Sequence, residues 1–117
     1  MVIILHITEH RSWQSAQVAG TYRAASLDTE GFIHCSTAEQ VERVANNFYK
    51  GQSDLVLLCI EAEKLQSTLK WEQPIPSNDP HSSELFPHIY GAINLEAVVK
   101  VVEFPPNSDG TFTLPAL

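Results

Sequence analysis

The run Leu55-Val-Leu-Leu-Cys-Ile60 constrains the fold most, because six apolar residues in succession leave neither face of a pleat polar. It is short for a buried helix and follows the turn-forming Lys50-Gly51-Gln52-Ser53-Asp54, so it reads as a central strand covered on both sides. Such a strand demands a layer of structure against each face of its sheet. With 117 residues the chain has room for one domain built this way, and at that size folding buries roughly 65% of the unfolded surface.

The neighbouring segments supply the layers. Val2 to Ile7 is a first strand, Thr8 is placed to cap a helix over Glu9 to Ala19, and Gly20 ends it. Trp13, Ala16 and Ala19 form its apolar stripe. Tyr22 to Asp28 reads as extended or looped, and Gly31 leads into a strand Phe32-Ile33-His34-Cys35. Ser36 and Glu39 have the Ser-x-x-Glu spacing of a capping box, followed by Val41, Val44, Ala45 and Phe48 at helical spacing. Beyond the central strand come one helical turn in Glu61 to Gln66, a strand Leu69-Lys70-Trp71-Glu72, and a loop over Gln73 to Leu85 rich in Pro, Ser, Asn and Asp. Phe86 to Gly91 is a further ordered segment, and Ala97 to Phe104 is a final strand. This predicts an α+β domain over residues 1–104 with two main helices, and a loosely packed tail over 105–117.

Charge and composition exclude several functions. Seven Lys and Arg against 14 Asp and Glu give a net charge of −7, which disfavours nucleic acid as a partner. No apolar run approaches the roughly 20 residues that span a bilayer, and the N-terminal apolar stretch lacks the basic flank of a signal peptide. Cys35 and Cys59 lie in apolar strand segments, and this usage points to the reducing cytoplasm with no disulfide expected. Nothing in the sequence specifies an oligomeric state.

The candidate chemistry rests on histidines. His6 and His34 sit in apolar strands, where imidazole without a partner is costly. Each taken singly reads most simply as a half-buried residue bonded to a carbonyl; the pair points to a shared site. His88 stands near the end of the loop, while His10 and His81 read as solvated. Cys35 next to His34 suggests a nucleophile, but adjacent strand residues face opposite ways, so the stronger reading of both cysteines is buried core. Ser36 and Thr37 are first of all helix-start residues. His6, His34, His88 and Glu72 include metal-ligand types, but no metal-binding spacing joins them, and no metal is expected. Trp71, Glu72 and Tyr90 add aromatic faces and a carboxylate suited to a planar small-molecule ligand, and Gly91 a flexible backbone point.

The segments Ile4-Leu5-His6-Ile7-Thr8, Glu30-Gly31-Phe32-Ile33-His34-Cys35-Ser36, Leu55-Val-Leu-Leu-Cys-Ile60, Trp71-Glu72 and Phe86-Pro87-His88-Ile89-Tyr90-Gly91 resemble the uncharacterised bacterial family called domain of unknown function 952. That family is similar in fold to ADP-ribosyltransferases, whose split mixed or antiparallel sheet grips NAD in a central cleft, and within them this sequence looks closest to the RNA 2′-phosphotransferases. The resemblance implies NAD as co-substrate and transfer at the nicotinamide–ribose bond to a small-molecule or protein acceptor. It implies that His6 holds a ribose hydroxyl and the nicotinamide end, that His34 packs against the nicotinamide ribose, and that Glu72 is the catalytic carboxylate. Thr8, Ser36, Trp71, His88 and Tyr90 would complete the NAD site, with His88 or Ile89 at the third motif. The sequence departs from the RNA enzymes in lacking a basic N-terminal lobe and carrying only Arg11, Arg23 and Arg43. The alternative is a non-catalytic nucleotide or metabolite module using the same cleft.

Overall fold

The computed structural model describes residues 2–73 and 84–117. The loop expected over Gln73–Leu85, with His81, falls for the most part outside the described residues. In chain order the elements are β1 (Ile3–Glu9), α1 (His10–Ala19), β2 (Thr21–Tyr22), α2 (Ala25–Thr29), β3 (Ile33–His34), α3 (Ala38–Phe48), β4 (Leu55–Glu61), β5 (Thr68–Glu72), β6 (Phe86–Tyr90), β7 (Ile93–Asn94) and β8 (Val98–Glu103). Short 3-10 turns follow β4 and β7.

Leu55–Ile60 is the middle of the sheet β1-β4-β8, paired antiparallel on both sides, and all six residues are buried. Its two faces feed two cores. Val56, Leu58 and Ile60 pack with Ile4, Ile33, Ile89 and Ile93, on the side of the sheets β3-β6-β5 and β2-β7. Leu55, Leu57 and Cys59 pack with Leu5, Ile7, Val41, Ala45, Phe104 and Phe112, on the side of α3. The domain is therefore α+β, with the smaller antiparallel sheets and α1 on one side of β4 and α3 on the other. Among the described residues no helix is long and apolar enough to cross a membrane.

Several local expectations shift. Thr8 does not cap α1: β1 runs two residues further than expected, Glu9 is the N-cap, and Thr8 is buried in the strand. The helix stops at Gly20 as expected, in the left-handed region at φ 87°, with its N–H bonded to the Ala16 carbonyl. In α1's stripe Ala16 is buried and Trp13 packs on the core, while Ala19 is exposed. The capping box of α3 is Thr37 and Gln40, not Ser36 and Glu39. Ser36 is unavailable because its N–H and C=O both pair with Leu5 of β1, at 2.8 and 2.7 Å, leaving Thr37 to begin the helix. Val41 and Ala45 are buried as expected, but Phe48 is 74% exposed.

The tail is the larger correction. Phe112 is buried, its ring centroid is 4.8 Å from that of Phe104, and Asn46 of α3 bonds both its N–H and its C=O. The Leu114 N–H donates to Glu42. The prolines and glycine after Phe104 made this segment read as loose, but one buried phenylalanine docks it against α3.

Candidate functional site

The two sheets meet at a single antiparallel bridge between Leu5 of β1 and Ser36, two residues beyond β3. Strand alternation turns Leu5 and Ile7 toward α3 and leaves Ile4, His6 and Thr8 on the opposite face. His6 follows the bridged Leu5: its Nδ1 is 2.6 Å from the carbonyl oxygen of His34, the last residue of β3. His6 Nε2 lies 2.8 Å from Tyr22 Oη, and that oxygen lies 2.9 Å from Thr8 Oγ1.

The hydrogens of this chain follow from the acceptors. A carbonyl only accepts, so His6 Nδ1 carries a hydrogen and donates to His34. Burial pushes the His6 imidazole down to about 4, the His34 carbonyl partly opposing it, so the ring is neutral near pH 7 and Nε2 is bare. Burial pushes the Tyr22 phenol up to about 12, so it keeps its hydrogen. Tyr22 therefore donates to His6 Nε2, and Thr8 donates to Tyr22. The result is a directed chain Thr8 to Tyr22 to His6 to the His34 carbonyl, inside a core where an unpaired polar group would be costly.

This chain borders a cleft of about 910 Å³. His6, Thr8, Tyr22, His34, Ser36 and His88 line it, with Arg23 on one side and Arg43, Val44 and Phe48 of α3 on the other. The exposure of Phe48 is thus partly exposure to the cleft. Arg23 is held by Asp28 at 2.9 Å and Arg43 by Glu84 at 2.5 Å. His34 is joined to His6 through its backbone; its half-exposed ring turns away to Glu30, with Nε2 3.0 Å from the carboxylate.

A second cluster stands behind His88. His88 pairs with His34 across β3 and β6, and its buried ring stacks on Phe32 with centroids 4.2 Å apart. Its Nδ1 donates to Glu72 Oε1 at 2.9 Å, and the Tyr90 hydroxyl donates to the same oxygen at 2.5 Å. Those bonds, Tyr90's first, hold the Glu72 carboxyl below its ordinary range, and Glu72 in turn raises the Tyr90 phenol.

The expected residues therefore divide. His6, Thr8, His34, Ser36 and His88 are brought to one cleft, whereas Glu72, Trp71 and Tyr90 are not among its lining residues. Trp71 is 41% exposed on β5. Gly91 lies against Ser67, where a Cβ would collide with the hydroxyl, so it serves close approach and not a flexible point. Cys35 makes no nucleophile: it is buried, burial raises its thiol, and both His6 nitrogens are engaged elsewhere. Among the described residues no group of three or more His, Cys, Asp or Glu could hold a metal ion. Sequence reasoning missed Tyr22, Phe32 and Glu30. Tyr22 left a faint signal, as a lone aromatic directly after a helix stop, and Glu30 another, at four residues before His34.

Comparison with known structures gives close fold matches over nearly the full length. A crystal structure of CC0527 from Caulobacter crescentus matches with a TM-score of 0.84 and 32% identity, over 97% of this chain and 95% of that one. The solution NMR structure of CC0527 matches with a TM-score of 0.78 and 32% identity, over 95% and 91% of the two chains. No curated protein matches the sequence. Residues 7–101 match the family described as "Protein of unknown function (DUF952)", a span that holds all the cleft histidines except His6. The chain belongs to the DUF952 family.

Proposed function

We propose that the cleft is a small-molecule site whose ligand is NAD, with the nicotinamide–ribose end over His6 and His34. The observation that carries this reading is the buried Thr8–Tyr22–His6 chain beside the cleft. Polar groups in a core oppose folding unless each is satisfied, and here all three are satisfied along a wall that opens to a ligand-sized volume. Arg23 and Arg43 supply the cations a pyrophosphate requires in a chain without a glycine-rich phosphate loop; its phosphates would compete with Asp28 and Glu84 for them. The single bridge from β1 to the segment after β3, with the bond from His6 to the His34 carbonyl beside it, supports an ADP-ribosyltransferase-like arrangement of the sheets.

Two forms of the reading differ in chemistry. In the transferase form, the bond between nicotinamide and ribose C1 breaks and a small-molecule or protein acceptor bonds to C1. The protein contributes orientation and charge stabilisation. In the binding form the same cleft senses a nucleotide without reacting. One observation favours the binding form: Glu72, the carboxylate expected for catalysis, is turned to His88 and Tyr90 and does not line the cleft.

The test is thermal unfolding with NAD, followed by assay for free nicotinamide. A rise in Tm that His6→Ala and the half-exposed His34→Ala both remove is expected. Nicotinamide release identifies the transferase form, and binding without release the sensor. No shift at millimolar NAD removes the reading.

A further inference from the structure

The Glu72–His88–Tyr90 cluster has no role in the reading above, yet it is built to orient one imidazole. A carboxylate accepts only, so Nδ1 of His88 bears the hydrogen of the 2.9 Å bond to Glu72, and in the neutral ring Nε2 is bare. Tyr90 donates to the same Glu72 oxygen and fixes the carboxylate in place. Phe32 stacks on the ring with planes 22° apart, and His34 stands edge-on to it at 5.5 Å. Rotamer and tautomer are thus both held, as a carboxylate holds the imidazole in histidine-based proton transfer.

The placement of the ring matters as much. His88 is 1% exposed, lines the cleft, and is anchored by Nδ1 to residues that do not line it. For Nε2, at the opposite end of the ring, no hydrogen bond is found among the described residues, and since no buried side-chain nitrogen or oxygen lacks a partner there, it is accessible from outside the core. One nitrogen of a nearly buried imidazole is tied down outside the cleft, and the other is left for it. A purely structural histidine would need neither the second donor on Glu72 nor an unpaired nitrogen at a cavity wall.

We propose that His88 Nε2 is the proton acceptor of the cleft, taking a hydrogen from a hydroxyl or amine donor bound there, with Glu72 and Tyr90 as positioning residues that act through it. This rests on the cleft reading for its ligand. In the transferase form the step balances: the acceptor's O–H or N–H proton passes to Nε2 as its oxygen or nitrogen bonds to ribose C1, and nicotinamide leaves with the electron pair of the broken bond. Glu72 then serves the reaction without touching the ligand, which reconciles the carboxylate expected from the sequence with its position behind His88.

The test is long-range proton–nitrogen NMR of protein labelled with ¹⁵N in its histidine rings. Without ligand, at a pH where the ring is neutral, His88 is expected with hydrogen on Nδ1 and none on Nε2. Glu72→Gln, whose amide oxygen still accepts, should keep that tautomer, and Glu72→Ala should move it toward the Nε2–H form that free side chains prefer. If Glu72→Ala fails to fold, wild type and Glu72→Gln still decide the tautomer. An Nε2–H ring in the wild type overturns the proposal. On adding NAD, the Nε2 resonance should shift; NAD that raises Tm while Nε2 stays unmoved also overturns it. If NAD does not bind at all, the NAD reading falls, and the ligand-free tautomer alone decides whether His88 stands as the acceptor.

Discussion

The two faces of β1 and β4 are built from the same strands to opposite ends. Toward α3, Leu5, Ile7, Leu55, Leu57 and Cys59 meet Val41, Ala45, Phe104 and Phe112 in a wholly apolar core closed by the tail. Toward the second sheet, Ile4, Val56, Leu58 and Ile60 are apolar, but His6 and Thr8 interrupt the face just past the bridge from Leu5 to Ser36. The first face holds the domain together. The second tolerates a polar chain because each of its members is hydrogen-bonded, and the cleft beside it is shared with Leu5, Ile7 and Leu55 of the first face. The candidate cleft sits where apolar alternation fails at a sheet boundary, and that failure is stabilised by partners from other strands.

Substitutions should separate the faces. On the closed face, Phe112→Ala empties a site packed on Phe104 and held by Asn46; a loss of about 3–5 kcal/mol in denaturant unfolding is expected. On the cleft face the largest effect is on pH dependence. His6 falls from 6.5 in the unfolded chain to about 4 when folded, so the unfolded state binds more protons between those values. Its contribution is complete above about pH 6.5 and is lost as the pH falls toward about 4, amounting to about 3 kcal/mol across that window. Unfolding free energies from pH 8 to 4 should show this slope, and His6→Gln should flatten it.

Smaller effects sharpen the contrast. Tyr22→Phe leaves His6 Nε2 without its donor and Thr8 without its acceptor, at about 1–3 kcal/mol, and should release the His6 tautomer in NMR while the α3 face is unchanged. Phe48→Ala should change stability by no more than about 0.5 kcal/mol, since the ring is exposed. A loss of several kcal/mol there would mean that the α3 wall of the cleft is core after all.

How much of this was legible depended on whether the determinant was local. Leu55–Ile60 was readable because burial on both faces writes itself into consecutive residues. Gly20 was readable because a left-handed C-cap selects glycine. The caps at Thr8 and Ser36 misled because each is a good cap residue whose backbone or side chain is claimed by a distant strand: Ser36 by Leu5, Thr8 by Tyr22. The histidines of the site were visible as polar interruptions of apolar strands. Their partners were not, since Tyr22 reaches His6 across 16 residues and Glu72 reaches His88 across the loop. No spacing rule connects such pairs; Glu72 and His88 are joined by the strand pairing of β5 with β6, and Tyr22 and His6 by the packing of β2 against β1 in the folded core.

The most direct test of the central claim is a titration of NAD into ¹⁵N-labelled protein followed by backbone and histidine-ring NMR. The account predicts shifts concentrated at His6, Thr8, Tyr22, His34 and His88, with Val99 to Val102 on the exposed edge strand β8 and Phe112 in the closed core unmoved. No shifts at millimolar NAD, or shifts centred on β8 or the tail, would contradict it.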